Sequence, residues 1–236
     1  MARVAYWIFI ICFPILLLTS TARLLVNSTH VYEYGFDKYE ISEATGIDES
    51  QLSQVATSLI DYFNSRVETL QIKVVKDERE FELFHDYELI HLEDVKGLLR
   101  LDYLVQGIVF AYVVTYALLF LLWQRGRRQD LAKGITRGSI LTLGLIAVFG
   151  IASIFSFQWL FIQFHRISFS NPYWMLDPSR DYLIMLFPPG FWQDVAIIGG
   201  GAIVAGALLL GGIAWAIPSI HQRRSRETKL SSEKDS

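Results

Sequence analysis

Four stretches of this chain, residues 4–26, 103–124, 139–164 and 195–220, run for twenty residues or more almost without charge. A hydrocarbon core about 30 Å thick needs roughly 20 helical residues to cross, so each stretch has the length of a membrane span. Arg23 interrupts the first only near its end, where its stem can snorkel to the interface. The third ends in aromatics of the kind that settle at headgroup level. Composition agrees: 52% of the 236 residues are apolar, 19% are charged and mean hydropathy is +0.33. So apolar a chain is not a single soluble core. The expected class is therefore a membrane protein, mainly α, with four transmembrane helices.

Cations set the orientation, because short loops rich in Lys and Arg stay in the cytoplasm. The link 125–138 carries Arg125, Arg127, Arg128, Lys133 and Arg137 against Asp130, and the tail 221–236 carries Arg223, Arg224, Arg226, Lys229 and Lys234. Both are expected in the cytoplasm, with both termini, of a multi-pass plasma-membrane protein. Segment 27–102, with 17 acidic against 7 basic residues, and the shorter segment 165–194 then lie outside. In the latter, Arg166 and Arg180 balance Asp177 and Asp181. The net charge of −3 and the lack of a long basic run exclude the electrostatic stripe of a nucleic-acid binder. A single cysteine, Cys12, excludes a disulfide framework. The small residues at 20–22 would suit a signal peptidase. However, the apolar run exceeds a usual signal core, and cleavage would leave an odd three spans, so residues 1–26 read as the first transmembrane helix. The sequon at Asn27 reads as chance.

Outside, Leu52, Val55, Ala56, Leu59, Ile60 and Phe63 make one stripe of an amphipathic helix that Asp48 or Ser50 can cap. Leu70, Ile72 and Val74 alternate with polar residues before Lys76, Asp77, Glu78 and Arg79. Phe81, Leu83 and His85 alternate after them, which predicts a β-hairpin. Helical spacing returns at Leu89, Leu92, Val95, Leu98 and Leu99 and has no break before the second span, so this helix is expected to run on into the membrane. Segment 27–102 thus reads as a small α+β extracytoplasmic domain. It is too small for a large core of its own, so it is expected to pack on the membrane surface and on the second loop. In the fourth span Gly201, Ala202, Ala205, Gly206, Gly211 and Gly212 predict close helix packing and no chemistry.

Histidine titrates near neutrality, which makes each of the five a candidate for proton transfer. His30, His85 and His221 read as solvated. In the string ELIHLEDVK (88–96), by contrast, Glu88, His91, Asp94 and Val95 share one helical face. A carboxylate one turn from His91 can fix its tautomer, as a general base requires. His165 stands where the third span emerges on the same side. Glu88, His91, Asp94 and His165 would also make a mixed metal-ligand set, but the two-histidine HExxH spacing is absent and no metal is expected. GxSxG, P-loop and GxGxxG motifs are absent as well, and no cofactor is expected.

At these residues the chain resembles a bacterial family of four-span integral membrane proteins that includes the lipoprotein intramolecular transacylase. The likeness rests on the helix ending in Tyr62 and Phe63 and on the string ELIHLEDVK. It also rests on a second-loop block of Phe164, His165, Asn171, Pro172, Tyr173, Trp174, Asp177, then LFP at 186–188 and FWQD at 191–194. The family's catalytic pair of histidines, one from each outside loop, falls on His91 and His165. The reaction implied moves the sn-2 acyl chain of S-diacylglyceryl-cysteine to the α-amino group of the same cysteine, giving lyso-form lipoprotein. A diacylated lipoprotein N-terminus and membrane lipid are the implied partners. The resemblance implies Arg before Glu88, where this chain carries Tyr87.

The residues suit that chemistry. An α-amino group with a pKa near 8 needs a base before it attacks an ester, and the leaving alkoxide needs an acid. His91, oriented by Glu88 or Asp94, and His165 can divide these roles in either order. Arg166 or nearby backbone N–H groups can stabilise the oxyanion. Two other classes remain at this point: a four-span scaffold whose outside domain binds a partner, and a metal-dependent membrane hydrolase.

Overall fold

The computed structural model describes residues 2–123 and 128–234. The expected end of the second span at Gln124 and the link cations Arg125 and Arg127 lie outside the described residues. So do the side chains of Arg128, His221 and the tail cations Arg223, Arg224, Arg226, Lys229 and Lys234. The architecture is mainly helical with one two-stranded sheet. Among the described residues, four helical segments are long and apolar enough to cross a membrane: Arg3–Val26, Asp86–Leu122, Gln129–Ser168 and Pro189–Ala216. Their flanks carry bare apolar side chains, with Ile154 and Phe155 82% and 84% exposed. In water such surface is unfavourable, whereas lipid tails are as apolar as the side chains themselves.

One compact unit comprises Met1–Ser20, Val105–Gly150 and Gly200–Ser236. Within it Phe9, Tyr116, Phe120 and Leu131 form a small core, with Phe9 stacked on Tyr116 at 4.6 Å. Small residues set the helix spacing. A Cβ on Gly138 would stand 2.7 Å from Phe13 Cβ, and one on Gly211 2.7 Å from Ser139 Cβ. Of the expected small-residue stripe, Gly206 meets Leu17, whereas Gly201 and Gly212 face open space.

The second unit, Thr21–Leu104 and Ile151–Gly199, holds the folded segments. After α1 (Ala2–Val26) come α2 (Thr29–Lys38) and α3 (Ile41–Thr45), then α4 (Glu49–Asn64). Helix α4 buries the predicted Leu52, Val55, Ala56, Leu59 and Phe63 together with Tyr62. Asp48 occupies its N-cap position without a side-chain cap bond. The hairpin forms as β1 (Lys73–Lys76) and β2 (Arg79–Glu82), antiparallel with Val74 opposite Phe81. Its two turn residues, Asp77 and Glu78, both have positive φ, 52° and 60°, as a turn matched to the strand twist requires.

Helix α5 (Asp86–Leu118) continues without a break from this domain into the apolar stretch and ends in a π-helical turn, Leu119–Trp123. Lys96, 2% exposed on α5, donates to Val67 O and to Ser65 Oγ and lies 3.8 Å over the Tyr62 ring, which ties the chain after α4 to this helix. Helix α6 (Arg128–Ser168) is kinked at Ser156. It is followed by the short α7 (Tyr182–Leu186) and by α8 (Pro189–Lys234). The core of this unit is shared: Leu59, Val74 and Leu83 from the first segment pack in one cluster with Leu183, Leu186, Phe187 and Phe191 from the second. A segment of this size therefore completes its core with the other loop.

Candidate active site

Within the second unit a cavity of ≈ 260 Å³ lies between α5, α6 and the segment that carries α7. Phe63, Phe161, Phe169, Trp174 and Phe187 are among the residues lining it, and His91 and His165 both face it. Both histidines are buried, at 7% and 8% exposure. Their ring centroids are 5.9 Å apart. Phe169 wedges against both, edge-on to His91 at 4.9 Å, while Trp174 lies 5.1 Å from His165. The space is small for a whole lipid and suits part of an alkyl chain.

The two imidazoles are held differently. His165 Nδ1 lies 2.7 Å from the carbonyl of Phe161, one turn earlier on α6. A carbonyl only accepts, so Nδ1 carries the proton and Nε2 is the acceptor of the neutral ring. His91 Nδ1 is buried and has no hydrogen-bond partner among the described residues.

The expected support of His91 by a carboxylate is not what forms. Glu88, fully buried, accepts from the backbone N–H of Leu183 through Oε1, and from the backbone N–H and Nδ1 of His85 through Oε2, each at 2.8 Å. As the third residue of α5 it reaches back to the N–H of His85 just before the helix, the glutamate half of a capping box. Asp94 accepts from Asn171 Nδ2 at 2.7 Å and so holds the second loop. Both face-sharing carboxylates thus find stronger donors off the helix than a neighbour on it. Arg166 is exposed and does not line the cavity.

The sequence reading passes over three groups that matter to this geometry. The Phe161 carbonyl is predictable only once α6 is known to continue through residue 165. Asn171 appears in the second-loop block, but without its partner. His85, expected in solvent, keeps its side chain 51% exposed yet is bound to Glu88.

Among the described residues, His85, Glu88 and Asp181 bring ligand-type atoms within 4.8 Å of one another. Their carboxylate oxygens already accept from protein donors: Leu183 and His85 on Glu88, Tyr87 and the Asp177 N–H on Asp181. The group is satisfied as it stands.

The family model for lipoprotein intramolecular transacylase Lit matches residues 7–192. The fold is similar to the in meso structure of the membrane integral lipoprotein intramolecular transacylase Lit from Bacillus cereus, with a TM-score of 0.79 at 19% identity over 95% of this chain and 97% of that one. Two variants of the same Bacillus cereus protein, with a histidine replaced by arginine or by alanine, give TM-scores of 0.77 at 19% identity. Each match covers 94% of this chain and 94% or 95% of the other. No curated protein matches the chain.

Proposed function

The chain belongs to the lipoprotein intramolecular transacylase family, and on that premise we propose that it moves the sn-2 acyl chain of an S-diacylglyceryl-cysteine to the α-amino group of that cysteine. The product is an N-acyl, S-monoacylglyceryl lipoprotein. The single observation that carries this reading is the pair of buried imidazoles, 5.9 Å apart, at one apolar cavity.

In our mechanism the neutral amine attacks the ester carbonyl carbon while Nε2 of His165 takes a proton from the nitrogen. Phe161, by holding Nδ1–H, keeps Nε2 ready for that role. The tetrahedral intermediate collapses as the bond from carbonyl carbon to glycerol oxygen breaks. The proton passes to that oxygen by way of His91, whose Nδ1, with no hydrogen-bond partner among the described residues, is available to the relay. An amide and a free hydroxyl result, and the atoms balance without an external reactant. Arg166, exposed and outside the cavity lining, takes no part in this scheme. Because amine and ester belong to one molecule, much of the acceleration comes from orientation, with each proton transfer adding about 10²–10⁴ in rate.

We place the site at the extracytoplasmic face, with both termini in the cytoplasm, on the charge of the link and tail. In the same proposal residues 27–102 form the outside domain and 165–194 its partner loop. The test is fragmentation mass spectrometry of a reporter lipoprotein's N-terminal peptide, from a bacterium lacking other N-acylating enzymes. The wild-type chain should convert the free-amine diacyl form into an isobaric N-acyl form, and His91→Ala should not. An identical peptide with and without the wild-type chain would refute the reading.

A further inference from the structure

Behind the cavity wall two buried carboxylates join the start of α5 to the second loop. Glu88 is 0% and Asp181 1% exposed. Glu88 takes the Leu183 N–H, 95 residues away, and Asp181 takes the Tyr87 hydroxyl on Oδ1 and the Asp177 N–H on Oδ2. His85 Nδ1 stands 2.8 Å from Glu88 and 3.9 Å from Asp181, and Arg180 Nε lies 3.6 Å from Asp181. The His85 ring also stacks on Tyr87, 5.3 Å between centroids and 3° from parallel. The knot joins His85 and the first turn of α5, one turn before His91, to residues 177–183, which lead into α7 and enter its first turn.

That segment is the cavity's wall. Leu183, Ile184 and Phe187 line the space that the two histidines face. Five residues of helix do not hold themselves in place, so α7 keeps its place in the cavity wall only through what anchors it. One side of the anchor is apolar, with Leu186 fully buried, and the other is Glu88 on a backbone N–H.

We propose that Glu88 and Asp181 form a clamp that fixes the α7 segment in the wall of the cavity that the histidine pair faces, with Glu88 acting as a positioning residue for the transfer; this rests on the transacylase reading. The capped end of α5 and the wall of the cavity are then one rigid piece. What holds α7 at Glu88 is the acceptor Oε1, which glutamine keeps while turning its NH2 toward the His85 N–H that Oε2 serves, and which alanine removes.

The test couples hydrogen exchange to activity, with the full chain in membranes. In Glu88→Ala the Leu183 amide, read from peptides covering 182–187, should exchange at least about tenfold faster, and N-acylation should fall by about the same factor. Glu88→Gln, which keeps the Leu183 contact but loses the one to the His85 N–H, should fall between wild type and Glu88→Ala in both. Tyr87→Phe, which leaves the fold's apolar contacts in place, should loosen the segment several-fold and serves where Glu88→Ala does not accumulate. Unchanged exchange in both Glu88→Ala and Tyr87→Phe would overturn the clamp. Faster exchange with full activity would overturn its positioning role. Glu88→Gln with wild-type exchange at 182–187 but no activity would assign Glu88 a proton-transfer role instead. Should the wild-type chain fail to N-acylate, the transacylase reading falls while the exchange measurements still decide the clamp.

Discussion

His91 and His165 share one cavity, and Nδ1 is held differently in the two rings. That of His165 donates to the Phe161 carbonyl at 2.7 Å, while that of His91 is buried with no partner among the described residues. A relay needs one ring with a defined acceptor and one free to receive and release. Replacing either with alanine should lower N-acylation by about 10²–10⁴, and the double variant should be little worse than either single one, since groups acting as a unit are not additive. Single-turnover lipopeptide mass spectrometry measures this, and strictly multiplicative losses would argue against a relay.

The tautomer of His165 is itself measurable. Nitrogen NMR of histidine-labelled protein in nanodiscs should give His165 as the Nδ1-protonated form. His165→Asn, whose amide can still reach the Phe161 carbonyl, should keep the protein in the membrane and stay inactive. An Nε2-protonated ring would assign the base to His91.

The spans, the α4 stripe and the hairpin were legible because each repeats a period over many residues: apolar runs of about 20, Leu52 to Phe63 at helical spacing, Leu70 to Val74 in alternation. Helix α2 offers only ten residues with Gly35 in its midst, and α7 only five, too few for a period to emerge. The histidine pair was legible by resemblance and loop placement. Its support was not: the partners of His165, Glu88 and Asp94 are a carbonyl, a backbone N–H and a distant asparagine. A backbone group leaves no mark in the sequence, and Asn171 lies 77 residues from Asp94.

Asp94 and Asn171 yield a sign-reversing test. Asn171→Ala removes the 2.7 Å bond and should reduce activity modestly, about threefold to tenfold. Asn171→Asp sets two carboxylates against each other and should be worse. Combining it with Asp94→Asn restores a donor and acceptor in reversed order, so the pair should recover, with a coupling of about 0.5–3 kcal/mol. Additive losses in the double variant would separate the two residues.

Gly35 sits where α2 crosses the start of α8, and a Cβ there would lie 2.4 Å from Phe191 Cδ2. Phe191, 3% exposed, is part of the cavity wall and cannot retreat freely. Gly35→Ala should cost about 1–3 kcal/mol, seen as a lower thermal midpoint in detergent. Phe191→Leu in the same chain should return part of it. A midpoint unchanged by Gly35→Ala would mean that the contact yields easily.

The pH profile of transfer should report the reacting groups and not their surroundings. Lys38, bonded to Asp194 Oδ2 at 2.7 Å, is held above the usual lysine range chiefly by that bond. Whatever it contributes to stability is present below the unfolded pKa of about 10.4 and is lost only as pH rises through the folded value. Asp177 is pulled below the usual carboxylate range, first by the Ser179 N–H and then by its hydroxyl. Its contribution is present above the unfolded value of about 3.9 and is lost only in acid. Neither changes state between pH 6 and 8. Over that window the substrate amine, with a pKa of about 8, gains its attacking neutral form, about tenfold from pH 6 to 7 and about fivefold from 7 to 8. The transfer rate should therefore climb from pH 6 and level off near 8, while thermal stability over the same range stays flat with respect to these two groups. A rate that falls from pH 6 to 8 would require the protonated form of a histidine at the start of the reaction and would replace the relay with an acid-first mechanism.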